Sequence, residues 1–218
     1  MLAALWGCYA AVRSLVGDTQ QVAMRNASRI LDLQAAVGLD VERGLQSLVG
    51  GSATFVAANS YYLLHFPVTL AALLVAYWRA RDAVFPTIRN ALVGATGVAL
   101  VVHLVIPVAP PRMLNGFIDA GAAFGPDPYA VAGSESANQF AALPSMHVAW
   151  AILVGWAVTQ LRPTMLGRAV GLAHPVITAI VVIVTGHHFV TDAVLGATLA
   201  LGFVWWAGDR RKPDLTLR

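Results

Sequence analysis

The chain has 218 residues, of which 58% are hydrophobic and 11% charged, and its mean hydropathy is +0.68. Soluble domains carry roughly twice that share of charge, about 25%, so an ordinary soluble domain and a disordered chain are both excluded and a polytopic membrane protein remains. The net charge of +3 with a pI near 9.4 does not point to nucleic acid, because 13 of the 14 basic residues are scattered arginines. Membrane orientation accounts for them better. The lone cysteine, Cys8, precludes an internal disulfide and a cysteine zinc cage.

In chain order, the first apolar stretch is Met1 to Val16, interrupted by Arg13 and without a basic leader or clean cleavage site, which reads as a retained helix. Uncharged runs of 35 residues (Arg43 to Arg79), 22 (Arg89 to Arg112), 26 (Glu135 to Arg162) and 23 (Arg168 to Asp192) follow, and Phe189 to Ala207 is broken only by Asp192. Each can hold the roughly 20 residues that cross a bilayer core. The expected fold is all-α: one integral membrane domain over 1–218 with about six spans, near 2–17, 53–78, 87–108, 145–161, 169–186 and 189–207. Residues 20–50 mix Val22, Ile30, Leu31, Leu33, Val37, Leu45 and Leu48 with Arg25, Arg29, Asp32, Asp40, Glu42 and Arg43, a pattern suited to amphipathic helices in the membrane interface. Residues 109–144, rich in Gly, Pro, Asn and Asp, read as a loop that covers one face.

Six spans place connections 79–90 and 162–168 and the tail 208–218 on one side, with nine basic residues against five opposite. The positive-inside rule makes that side cytoplasmic and turns 18–52, 109–144 and 186–188 outward. A bacterial plasma membrane, with the active site at its extracytoplasmic boundary, is the expected location.

Three segments with chemical potential fall at that outward boundary: Ala109-Pro110-Pro111-Arg112, Pro144-Ser145-Met146-His147, and Gly186-His187-His188-Phe189-Val190-Thr191-Asp192. Ionisable groups at membrane depth are expensive, so their convergence suggests a site. His188 and Asp192 lie one helical turn apart, which lets the carboxylate hold one imidazole nitrogen protonated and leave the other nucleophilic. Pro144 suits a first helical turn, whose N–H groups at Ser145 and Met146 would face an anion. Arg112 adds a charged fork matched to phosphate oxygens, and His147 stands where it would protonate a leaving oxygen. The set is suited to phosphoryl transfer and calls for no metal and no cofactor.

At these residues the chain resembles the type 2 phosphatidic acid phosphatase superfamily. Pro144-Ser145-Met146-His147 is similar to the family's Pro-Ser-Gly-His, with Met146 in place of Gly, and His188-Phe189-Val190-Thr191-Asp192 is similar to its His-x-x-x-Asp. The family's Lys would fall at Val105 and its Ser-Arg pair at Val181-Val182, so two cations are missing. The motif forms look more like the branch related to inositol phosphorylceramide synthases, which shares a Tyr-Tyr-x-x-His-Phe segment, here Tyr61-Tyr62-Leu63-Leu64-His65-Phe66. The resemblance implies His188 as a nucleophile forming phosphohistidine, Asp192 as its partner, His147 as general acid, and Arg112 and Ser145 as phosphate ligands. His187 would fill part of the missing charge.

Plainer readings stand beside these. Tyr61, Tyr62 and His65 suit an interfacial aromatic belt, with lipid headgroup contact as the sharper option. His103 and His174 read as helix-packing residues, and Trp150, Trp156, Trp205 and Trp206 as lipid-facing. The function expected is hydrolysis of a lipid phosphate. The alternatives are transfer of a phospho-headgroup to an alcohol, and a transporter or scaffold without catalysis. A zinc hydrolase built on His147, His187, His188 and Asp192 is weaker, since adjacent histidines point apart on a helix. The expected partners are the lipid phosphate and the surrounding membrane lipids, with no nucleic acid.

Overall fold

The computed structural model of the protein describes residues 19–132 and 138–209. Among them are nine α-helices, which we number in chain order: α1 Thr19–Ala36, α2 Glu42–Ser47, α3 Ser52–Ala80, α4 Phe85–Val105, α5 Ala120–Phe124, α6 Pro128–Ala132, α7 Met146–Leu161, α8 Met165–Val184 and α9 Val190–Asp209. No strand is present among the described residues beyond one isolated bridge, Val108 to Ala141. The fold is an all-helical membrane bundle: α3, α4, α8 and α9 are each long and apolar enough to span a bilayer, and α7 is a shorter apolar helix. The expected first span, 2–17, lies outside the described residues.

Helix α7 has 16 residues, a rise of about 24 Å, less than a hydrocarbon core of about 30 Å. It can be short because it is central, packed by α3, α4, α8 and α9. Ala149, Leu153 and Ala157 meet Ala76, Ile88, Ala91 and Ala200 in the core. Small residues let the backbones approach: a Cβ on Gly155 would stand 2.1 Å from the Gly171 carbonyl oxygen. This is how membrane helices gain van der Waals packing where lipid supplies no hydrophobic drive. Trp150 belongs to this interior, donating from Nε1 to Thr96 Oγ1 at 3.1 Å. The lipid-facing expectation therefore fails for it, whereas Trp205 is exposed.

Residues 19–48 form two helices that lie over the motif-bearing end of the bundle. Asn26 Nδ2 donates to the Pro107 carbonyl, and the Ala109 N–H to the Ala23 carbonyl. The buried side chains of this cover include Gln34, Glu42 and Gln46, while Leu33, Val37 and Leu48 are exposed. Ala23 and Ala27 are also buried, against Val108, Ala109 and Phe189, while Arg25, Arg29 and Asp32 are exposed, so both polar and apolar side chains face the bundle. The loop 109–144 carries a short 3₁₀ turn, Pro111–Met113, and the helices α5 and α6.

Candidate active site

All three predicted motif segments meet at one end of the bundle. Helix α8 ends at Val184 and the chain turns through Gly186, at φ 77°, before α9 begins. A side chain there would be strained in that left-handed conformation, and its Cβ would stand 2.7 Å from the Ile118 carbonyl oxygen. The Gly186 carbonyl accepts from the Arg112 N–H at 2.9 Å, and the N–H groups of His187 and His188 both donate to the Val182 carbonyl. The turn is thereby fixed to α8 and to the Arg112 segment.

The His188 ring is oriented chiefly by a group that sequence reading missed. Its Nδ1 lies 2.8 Å from the Ala142 carbonyl oxygen, which can only accept. Nδ1 therefore carries the proton, and Nε2 of the neutral ring keeps its lone pair. Asp192, fully buried, is 3.5 Å from the same Nδ1 and accepts the Phe189 N–H through Oδ2 at 2.8 Å. The expected His–Asp pair is present, but at that distance the carboxylate is an electrostatic neighbour more than a direct hydrogen-bond partner.

Helix α7 starts as its sequence suggests, with Ser145 as N-cap accepting the Val148 N–H. One correction follows. The Ser145 N–H donates to the Asp192 carbonyl at 2.9 Å and its side chain is fully buried, so Ser145 ties α7 to α9 instead of facing a ligand. The next two amides, of Met146 and His147, have no acceptor among the described residues, and both residues line a cavity of about 300 Å³. Further wall residues are Tyr62, His103, Tyr129, Gln139, His187 and His188. His147 faces this space with its ring centroid 5.7 Å from that of His188 and 5.0 Å from that of His65.

Arg112 is near the cavity without forming its wall. Its Nη1 pairs with Asp119 at 2.9 Å, its Nη2 donates to Gln139 Oε1 at 3.3 Å, and its guanidinium lies 4.2 Å from the Tyr129 ring centre. Burial works against the charge, but Tyr129 and Asp119 outweigh it and hold the group above its usual pKa. Nε is buried with no partner among the described residues. Lysine keeps the charge and loses the fork and the stacking plane, so Arg112→Lys is expected to lower kcat/KM for a lipid phosphate about 10- to 100-fold. Full activity in that variant would show that the fork is not needed.

The Tyr-Tyr-x-x-His segment divides. Tyr62 stacks against His147 at 4.1 Å and His187 at 4.2 Å and lines the cavity. Tyr61 turns away to His174 Nδ1 and Thr178. His65 is buried, and neither ring nitrogen has a partner among the described residues. The belt reading thus fails for His65, which packs inside the bundle, and Tyr61 makes no contact with the site. His103, expected only to pack, reaches the cavity wall and donates from Nε2 to the Pro144 carbonyl at 3.3 Å.

A protein-family model described as the PAP2 superfamily matches residues 28–206. The chain belongs to the PAP2 superfamily. No curated protein and no solved structure matches it. Members of the PAP2 superfamily are membrane phosphatases and phosphotransferases, so an integral membrane enzyme of phosphate-ester chemistry is established at that level. In this PAP2 protein the missing family cations are replaced by valines with other tasks: Val105 is exposed, and Val182 is buried in the core beneath the site. Among the described residues no three His, Cys, Asp or Glu side chains converge as metal ligands.

Proposed function

We propose that the protein hydrolyses a lipid phosphate ester through a phosphohistidine on His188. The observation that carries this reading is the bare Nε2 of His188, on the wall of a cavity that also receives His147 and the free amides of α7. Nε2 attacks phosphorus, the bond to the leaving oxygen breaks, and His147 gives that oxygen its proton. The α7 N-terminus and the nearby Arg112 charge stabilise the phosphoryl oxygens. Water then attacks the phosphohistidine, returning its proton to His147 and releasing inorganic phosphate. Asp192 stabilises the positive charge that the phosphorylated imidazole bears while Nδ1–H stays on the Ala142 carbonyl. The lipid character of the substrate rests on the site's position at the end of the spanning helices.

The forms Pro144-Ser145-Met146-His147 and His187-His188-Phe189 support a finer placement in the branch resembling inositol phosphorylceramide synthases. Purified protein given phosphatidic acid labelled with ³²P should release phosphate and trap an acid-labile, base-stable label. Failure to dephosphorylate any lipid phosphate would refute the reading.

We also infer that the site faces the extracytoplasmic side of a bacterial plasma membrane, because nine basic residues flank the opposite ends. With Cys8 removed, cysteines at Asn115 and Met165 should differ in an impermeant thiol-labelling assay, 115 reacting from outside and 165 not. The reverse pattern would overturn the orientation.

A further inference from the structure

His187 stands beside the nucleophile and presents the opposite of what a phosphate needs. Thr185 Oγ1 has one proton and donates it to the Val181 carbonyl at 2.7 Å. In its 2.9 Å contact with His187 Nδ1 the hydroxyl can therefore only accept. The imidazole proton must sit on Nδ1, and Nε2 of the neutral ring keeps a bare lone pair. That Nε2 is buried and meets no donor among the described residues. The ring lines the cavity, with Tyr62 stacked at 4.2 Å and Tyr129 at 5.9 Å between centroids.

A buried acceptor without a donor is costly, and where one persists beside a cavity a ligand that brings the donor accounts for it. A phosphomonoester dianion brings only lone pairs. Protonating the ring would reverse that, but burial, the Arg112 charge and His188, in that order, hold the His187 imidazole well below its usual pKa.

We propose that His187 Nε2 forms a hydroxyl-recognition subsite beside the phosphate position, accepting a hydrogen bond from an alcohol O–H. The hydroxyl belongs either to the leaving group of the lipid phosphate or to an alcohol that takes the place of water. In the second case His187 holds one hydroxyl of a polyol, and the phosphoryl group passes from His188 Nε2 to the oxygen of another hydroxyl of the same molecule, whose proton goes to His147. The proposal rests on His188 as the phosphoryl carrier.

The test uses the full chain in lipid nanodiscs and two arms. The first compares phosphatidylglycerophosphate with its analogue in which the glycerol 2-hydroxyl is replaced by hydrogen. The second follows the label from ³²P-phosphatidic acid into glycerol phosphate or inorganic phosphate when glycerol is added. The expected result is a preference of about tenfold for the hydroxyl-bearing donor, or partition to glycerol well above its molar ratio to water, which identifies the source of the hydroxyl. His187→Phe should erase that preference. Thr185→Val, which frees the ring to carry its proton on Nε2, should reduce it. Because each readout is a ratio of two probes in one variant, a general loss of activity cancels.

Turnover without preference in either arm overturns the subsite, with water then the donor to Nε2. So does a preference that survives His187→Phe, or an equal loss on both first-arm probes, which would make His187 a phosphate ligand or a packing residue. Absence of any turnover by the wild type refutes the phosphohistidine reading itself, and the subsite with it.

Discussion

Replacing His188 with alanine is expected to lower phosphate release by about four orders of magnitude or more and to abolish the acid-labile label, because covalent catalysis loses its proposed carrier. A residual rate within about tenfold of wild type in His188→Ala would refute the assignment. The partner of His188 should behave differently from the carboxylate of a serine-protease triad, where removing the acid loses the tautomer. Here the Ala142 carbonyl holds Nδ1–H at 2.8 Å while Asp192 stands at 3.5 Å. Asp192→Asn leaves the tautomer intact and removes only charge stabilisation, so a loss of about 100-fold is expected. A loss as large as that of His188→Ala would show that Asp192, and not Ala142, sets the ring.

What could be read from sequence was whatever local geometry dictates. His188 and Asp192 are four residues apart, Pro144-Ser145 starts a helix, and the uncharged runs become α3, α4, α7, α8 and α9. Groups whose roles depend on non-local backbone contacts were not legible. Ala142 has no functional side chain, and its carbonyl matters because the end of the 109–144 loop lies 2.8 Å from a histidine 46 residues on. The Ser145 amide looked free because nothing local occupies it, yet the Asp192 carbonyl comes from another helix. Tyr129 was hidden in a five-residue helix inside a Gly- and Pro-rich loop.

The cover over the site shows the limit of reading by polarity. The alternation of apolar and charged residues over 20–50 marks the segment as amphipathic and interfacial, but it does not reveal that Gln34, Glu42 and Gln46 are buried. Glu42 Oε1 accepts the Val190 N–H at 2.8 Å, and Gln34 Oε1 accepts the N–H and hydroxyl of Thr191. These groups satisfy the open amides at the start of α9, the helix that carries Asp192. Gln46 bonds the Ile118 and Val184 carbonyls and so links the outer loop to the end of α8.

Gly196→Ala is expected to lower kcat about 100-fold while leaving a membrane-inserted, folded protein of reduced thermal stability. A Cβ at Gly196 would stand 2.2 Å from the Ser145 carbonyl oxygen and 3.0 Å from its carbonyl carbon. Both are backbone atoms at the N-cap of α7, so no side chain can swing aside and the helices must separate by about 1 Å to restore contact. That separation acts on the bond from the Ser145 N–H to the Asp192 carbonyl, which holds α7 to α9. Since α7 carries His147 and α9 begins two residues after His188, the shift moves the proposed acid away from the proposed nucleophile, and a misplacement of about 1 Å costs on the order of 100-fold. Gly202→Ala is the control on the same helix, because a Cβ there meets nothing within 4 Å and alanine favours the helix by about 1 kcal/mol. It should keep wild-type kcat and match or exceed wild-type thermal stability. If Gly196→Ala instead stays within twofold of wild type in kcat, the distance between α7 and α9 does not control the chemistry.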